Sequence, residues 1–175
     1  MADNNFTLAD VTDRFELNLF GSPFCENLPV AIPSELFSAI LSEWLPLAQQ
    51  ARSEKAKSEL LISPVLLEVR KLVHNSVELF SGEEFSVDRD RGLNGFCNFL
   101  LSKSTTSYLL QAPVVMLVAA KRGELDLGLG QCIAEMVAAQ LFNSSKGRAI
   151  PVIYGGIAIL NQILRIEHWY VTAIA

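Results

Sequence analysis

Pro113-Val114-Val115-Met116-Leu117-Val118-Ala119-Ala120-Lys121-Arg122 is an apolar run that ends abruptly in two bases and leads, past Gly128 and Gly130, into an amphipathic helix predicted over 127–142. The run reads as a buried strand that delivers one lysine to its own end. By the two-residue period of a strand, Val115, Leu117, Ala119 and Lys121 share one face, and Val114, Met116, Val118 and Ala120 share the other. Ala119 and Lys121 therefore look into the same space. A lysine beside an acidic residue at a strand end is a common way to hold a metal ion and a phosphate together, and here the acidic residue is missing.

The rest of the composition sets the scale. A chain of 175 residues fits one domain with room for a core that needs no disulfides or structural metal. Half the residues are hydrophobic and 19% are charged, which argues against disorder. The longest apolar runs fall far short of the roughly 18 residues of a spanning helix, so no membrane partner is expected. Met1-Ala2-Asp3-Asn4-Asn5 has neither a basic region nor an apolar signal core, and a cytoplasmic location is the expectation. Cys25, Cys97 and Cys132 lie apart in apolar contexts and read as reduced packing residues. The net charge of -5 opposes a dedicated nucleic-acid module, though Arg89 with Arg91, Lys121 with Arg122, and Lys146 with Arg148 form local basic pairs.

Residues 1–32 read as an irregular arm punctuated by Gly21, Pro23 and Pro29. A helical extension follows over 33–60, where Leu36, Phe37, Ile40, Leu41, Trp44 and Leu45 make one apolar stripe that Pro46 bends or ends. The polar segment 49–59 connects to a second helix over 63–75, with Ser63 as N-cap, Pro64 at the first helical position and Glu68 near the edge of its buried face. Strands are predicted over 77–87, with a turn at Ser81-Gly82-Glu83, and over 93–101, beyond the polar turn Asp88 to Gly92. In the second of these, Phe96, Asn98 and Leu100 fall on one face and Cys97, Phe99 and Leu101 on the other. Two terminal strands are predicted over 151–158 and 162–173. The order α-β-β-β-α-β-β gives a mixed α/β (α+β) fold, a central mixed β-sheet flanked by helices, in a single domain whose core spans 61–175.

Four segments carry a further likeness: Ile62-Ser63-Pro64-Val65-Leu66-Leu67-Glu68-Val69-Arg70, Phe80-Ser81-Gly82-Glu83-Glu84-Phe85, Gly92-Leu93-Asn94-Gly95-Phe96-Cys97-Asn98-Phe99, and Gly128-Leu129-Gly130-Gln131-Cys132-Ile133-Ala134-Glu135-Met136. Together, over 62–166, they resemble the PD-(D/E)XK nuclease superfamily, and within it a group of small cyanobacterial proteins. The resemblance implies a restriction-endonuclease-like core and a phosphodiester hydrolase that uses Mg2+ or Mn2+ on DNA or RNA. It also implies a site in which a helical glutamate, an aspartate on the second strand and a Glu-x-Lys on the third converge. Position by position these fall on Glu68, Asn98, Ala119 and Lys121, with Gln131 as the glutamine often seen on the following helix.

Magnesium takes oxygen ligands, usually one or two carboxylates with water and substrate phosphate. It then acidifies a bound water and stabilises charge on the phosphate while the lysine balances developing charge. Asn98 offers an uncharged carbonyl and Ala119 offers nothing, so Glu68 with Asn98 would make a weak metal site at best. The chain is expected to be a nuclease-like protein with impaired catalysis, holding no metal. Its alternatives are an active enzyme that draws acids from Asp88, Asp90 or Glu124, and a nucleic-acid-binding or protein-interaction module on the same fold. Whether the two acids were lost naturally or changed to remove cleavage, the expectation for this chain is the same. Glu135 lies four residues after Gln131 on one helical face, either near the site or in a polar surface stripe. His74 and His168 match no metal-ligand spacing, and Ser63 and Ser81 lack a catalytic histidine pattern. The apolar strands at the C-terminus suggest a homodimer, because an apolar edge usually pairs or is covered.

Overall fold

Val114–Lys121 is the strand the sequence indicates, and in the computed structural model it is the third of four in a mixed sheet. The structure describes residues 6–20, 31–121, 125–159 and 170–171. In chain order the elements are α1 (Leu8–Phe15), β1 (Leu19–Phe20), α2 (Glu35–Gln50), α3 (Glu54–Lys57), a π-helical turn (Ser58–Ile62), α4 (Ser63–Leu72), β2 (Glu78–Glu84), β3 (Phe96–Ser102), β4 (Val114–Lys121), α5 (Leu125–Ser145), β5 (Tyr154–Ile159) and β6 (Tyr170–Val171). The main sheet has the order β2-β3-β4-β5. Its first two pairings are antiparallel and β4 runs parallel to β5, with α5 as the crossover a parallel pair requires.

Helices cover both faces. Leu100, Leu117 and Ala119 are buried against Cys132, Ile133 and Met136 of α5. On the other face Phe99, Leu101 and Val118 pack with Ile62 and Leu66. The predicted alternation holds over the middle of β4 and inverts at its start. Leu101 pairs with Met116 but Ser102 with Val114, so Val115 is the extra residue of a β-bulge. Val114 consequently joins the α5 side and Val115 the α4 side, the reverse of the simple period.

Several expectations are corrected. The N-terminal arm contains α1, closed by a capping box in which Thr7 Oγ1 accepts from the Asp10 amide and the Asp10 carboxylate accepts from the Thr7 amide. Leu8, Val11 and Phe15 make the apolar stripe of this short helix, and what holds it is α5. The two approach so closely that a Cβ on Gly130 would overlap the carbonyl oxygen of Phe6. The segment 49–59 is not a plain connection: Ser53 caps α3, which runs through the π-turn into α4 without a break. Ser63 is therefore inside a helix rather than its cap. The π-turn has a cause in Pro64, which has no amide to give the carbonyl of Leu60 and whose ring crowds it. Widening the turn, with the Ser63 amide bonding to Ser58 O, relieves that conflict. Pro46 sits inside α2 without ending it, and Phe37, Ile40, Leu41, Trp44 and Leu45 of the predicted stripe are half-buried while Leu36 is exposed.

Ser81-Gly82-Glu83 is strand rather than turn. Gly82 has φ +68°, a left-handed value that glycine tolerates, and the pairing runs from Ser81–Phe99 to Glu83–Cys97 across it. Beyond this distortion Cys97 packs on the α5 side although Phe99 packs on the α4 side, contrary to strict alternation. Most of the predicted last strand, 162–173, lies outside the described residues; its Tyr170–Val171 pairs with Leu19–Phe20 in a separate two-stranded sheet. The homodimer was expected on both apolar C-terminal strands; one is β5, at the end of the main sheet, and most of the other lies outside the described residues. Among the described residues no helix is long and apolar enough to cross a membrane.

Candidate functional site

Phe99 pairs with Val118, Asn98 and Ala119 are the next residues along the two strands, and Lys121 ends β4 two residues further on, paired with Ile159. Asn98 is half-buried; Ala119 is fully buried. Two of the positions assigned from the sequence thus lie on adjoining strands, and neither carries a carboxylate. Glu124, Arg122, Cys25 and His168 lie outside the described residues.

Gln131 reaches the same region from α5. This helix is not the amphipathic one expected: residues 132–139 are all buried, because the sheet covers one side and α1 much of the other. Gln131 and Glu135 are accordingly not a surface stripe. The Gln131 Nε2 donates to Glu135 Oε1 at 3.0 Å, and Glu135 is buried beside Cys97. Burial, then the charge and hydrogen bond of Glu135, push the Cys97 thiol far up. Burial and Glu135 do the same to Cys132, whose thiol donates to Gly156 O. Both thiols stay protonated at neutral pH, so neither serves as a nucleophile or thiolate ligand.

Glu68 is turned elsewhere. Leu66 faces the sheet, and two residues on is about 200° around the helix. The Glu68 carboxylate lies against the start of α2, where Oε1 accepts from the Ser34 amide at 2.6 Å and Oε2 from the Ser34 hydroxyl at 2.9 Å. Ser34 Oγ in turn accepts from the Phe37 amide at 3.2 Å and caps α2. Glu68 thus locks α2 onto α4 and does not join Asn98 and Gln131. The Ser34 amide bond is the main cause that lowers its pKa, burial opposes, and the Ser34 hydroxyl and Lys71 add to the lowering. A lowered folded pKa means stability present above the ordinary glutamate value and lost as pH falls through the folded one. Glu68→Gln is expected to lower the urea midpoint at pH 7, with the gap to wild type closing toward pH 3.

Around Asn98 and Gln131 opens a cleft of about 400 Å³. Its opposite wall comes from α3 and the π-turn, through Glu54, Lys55, Ser58 and Glu59, with Ser63 at the start of α4. Phe96 lines it too and is 53% exposed. The helical wall and Phe96 were missed as site residues. The signal for the wall was Ser53 ahead of a run rich in Glu, Lys and Ala, a capped helix start in what reads as linker. Lys55 and Glu59 are paired at 2.9 Å on this wall. Asp88 and Asp90 remain in the β2–β3 turn away from the cleft, where Asp88 Oδ1 accepts from the Arg91 amide. His74 is exposed at the left-handed end of α4. Among the described residues no group of three or more His, Cys, Asp or Glu side chains is placed to hold a metal ion.

Neither a family model nor a curated protein nor a solved structure matches the chain.

Proposed function

We propose that the protein is a nuclease-like binding protein of the PD-(D/E)XK type that does not cleave. The element order, one helix, three antiparallel strands, a crossover helix and a parallel fourth strand, is consistent with a restriction-endonuclease-like core. Fold alone decides no function, so the reading rests on the site. The observation that carries it is the pairing of Phe99 with Val118, beyond which Asn98 and Ala119 come next along the two strands, with Lys121 two residues on. On this reading these are the places of the two missing carboxylates and their lysine.

With an amide at one place and a methyl group at the other, little remains to balance a divalent cation or to acidify its water. The helical glutamate is also spent, since Glu68 is held by Ser34. What survives is the concave surface, and its use is binding. Incubation with supercoiled plasmid, single-stranded DNA or RNA, in Mg2+ or Mn2+, is expected to give no more cleavage than Lys121→Ala. Metal-dependent cleavage that Lys121→Ala abolishes would overturn the proposal.

A further inference from the structure

The cleft that holds Asn98 and Gln131 suits a flat organic group better than a phosphodiester. Its volume of about 400 Å³ falls in the range of small-ligand sites. Phe96, the first residue of β3, gives it a large apolar ring half open to water. Such a ring can stack on any aromatic heterocycle.

Two amides accompany the ring. Asn98 stands two residues along the same strand, and Gln131 comes from α5. An amide offers both donor and acceptor, the pairing needed at the edge of a heterocycle that itself carries both. The bond from Gln131 Nε2 to Glu135 fixes the Gln131 amide and leaves its carbonyl end as the acceptor for a ligand. Hydroxyls of Ser58, Ser63 and Ser81 add further donors and acceptors. The helical wall of the cleft does not favour an anion: there the carboxylates of Glu54 and Glu59 stand against the single ammonium of Lys55.

We propose that this cleft binds an uncharged planar heterocycle with adjacent hydrogen-bond donors and acceptors, a nucleobase, by stacking on Phe96 and hydrogen bonding to Asn98 and Gln131. The proposal rests on the reading of this cleft as the binding site of a nuclease-like scaffold. It adds that a base, not the phosphate backbone, is what the site recognises.

Isothermal titration of the whole chain with the four ribonucleosides, their 5′-monophosphates and a short single-stranded oligonucleotide tests it. At least one nucleoside is expected to bind saturably, its monophosphate several-fold more weakly at low salt, and that difference to shrink as salt rises. Phe96→Ala is expected to weaken the nucleoside by about tenfold or more. Because Phe96 is half exposed, the variant should fold, and circular dichroism checks that. Binding by the oligonucleotide alone would mean that the base is taken only from a strand, and the base site stands if Phe96→Ala weakens it equally. Absence of saturable nucleoside and oligonucleotide binding overturns the proposal, as does tighter binding of the monophosphates or indifference to Phe96→Ala. Failure here together with a magnesium site gained on Asn98→Asp with Ala119→Glu would defeat the base site and leave the nuclease-like reading standing; the converse pair of results would do the opposite.

Discussion

Asn143→Ala is expected to destabilise the protein by about 2–5 kcal/mol, although Asn143 does not line the cleft of Asn98 and Gln131. The side chain is 1% exposed, its Oδ1 accepts from the Val114 amide and its Nδ2 donates to the Val114 carbonyl, each at 2.8 Å. The reason lies in the sheet. Val114 starts β4, but β5 first pairs two residues later, Tyr154 with Met116, so Val114 has no strand on that side. The Asn143 amide takes the place of the missing strand.

Val114 is itself 0% exposed, and alanine would leave its amide and carbonyl buried without partners, at about 1–3 kcal/mol each. For a chain of this size the melting temperature should fall by roughly 5–15 °C. Ser144→Ala, at the exposed next position, should stay within about 0.5 kcal/mol. Urea unfolding followed by circular dichroism reads both. An unchanged midpoint for Asn143→Ala would contradict the role given to this bond, which ties the helix carrying Gln131 to the strand carrying Ala119.

How much of this the sequence discloses depends on how local each cause is. β4 was legible because an unbroken apolar run closed by Lys121 has few other readings, and the stripe of α2 was legible from its helical period. The inversion at Val115 was not, since a bulge comes from pairing with β3 rather than from the residues of β4. The continuous α3–α4 helix was hidden by Pro64, which normally marks a start and here forces a π-turn. The double burial of α5 was hidden because its second cover, α1, is more than a hundred residues away in the chain.

The candidate site divides in the same way between local and distant causes. Asn98, Ala119 and Lys121 are assigned by the two-residue period of adjoining strands, and the first two follow the Phe99–Val118 pair along those strands. Glu68 failed because its partner, Ser34, is 34 residues upstream and nothing in the helix itself announces it. Phe96 and the wall of Glu54, Lys55 and Glu59 were not legible because they match no metal-ligand pattern, and the wall meets Asn98 only through the packing of α3 on the sheet.

The second large effect is a gain. If Asn98 and Ala119 occupy the places of two lost acids, Asn98→Asp with Ala119→Glu should create a divalent-cation site next to Lys121. Ala119 is fully buried, so the new glutamate has a cost without metal: a carboxylate in the α5-side core is desolvated. The double variant is therefore expected to be less stable than wild type in chelator and to recover with magnesium. The recovery is about 2.7 kcal/mol at a hundred times the dissociation constant. Asn98→Asp alone alters only a half-buried position; it should fold as wild type does and bind magnesium weakly.

Magnesium titration by calorimetry, on the wild-type chain and on these two variants, is the measurement that decides. The expected result is no binding heat for wild type, weak binding for Asn98→Asp and clear saturable binding for the double variant. Equal binding by all three, or none by folded Asn98→Asp and by the double variant, would contradict the placing of a former metal centre at Asn98 and Ala119.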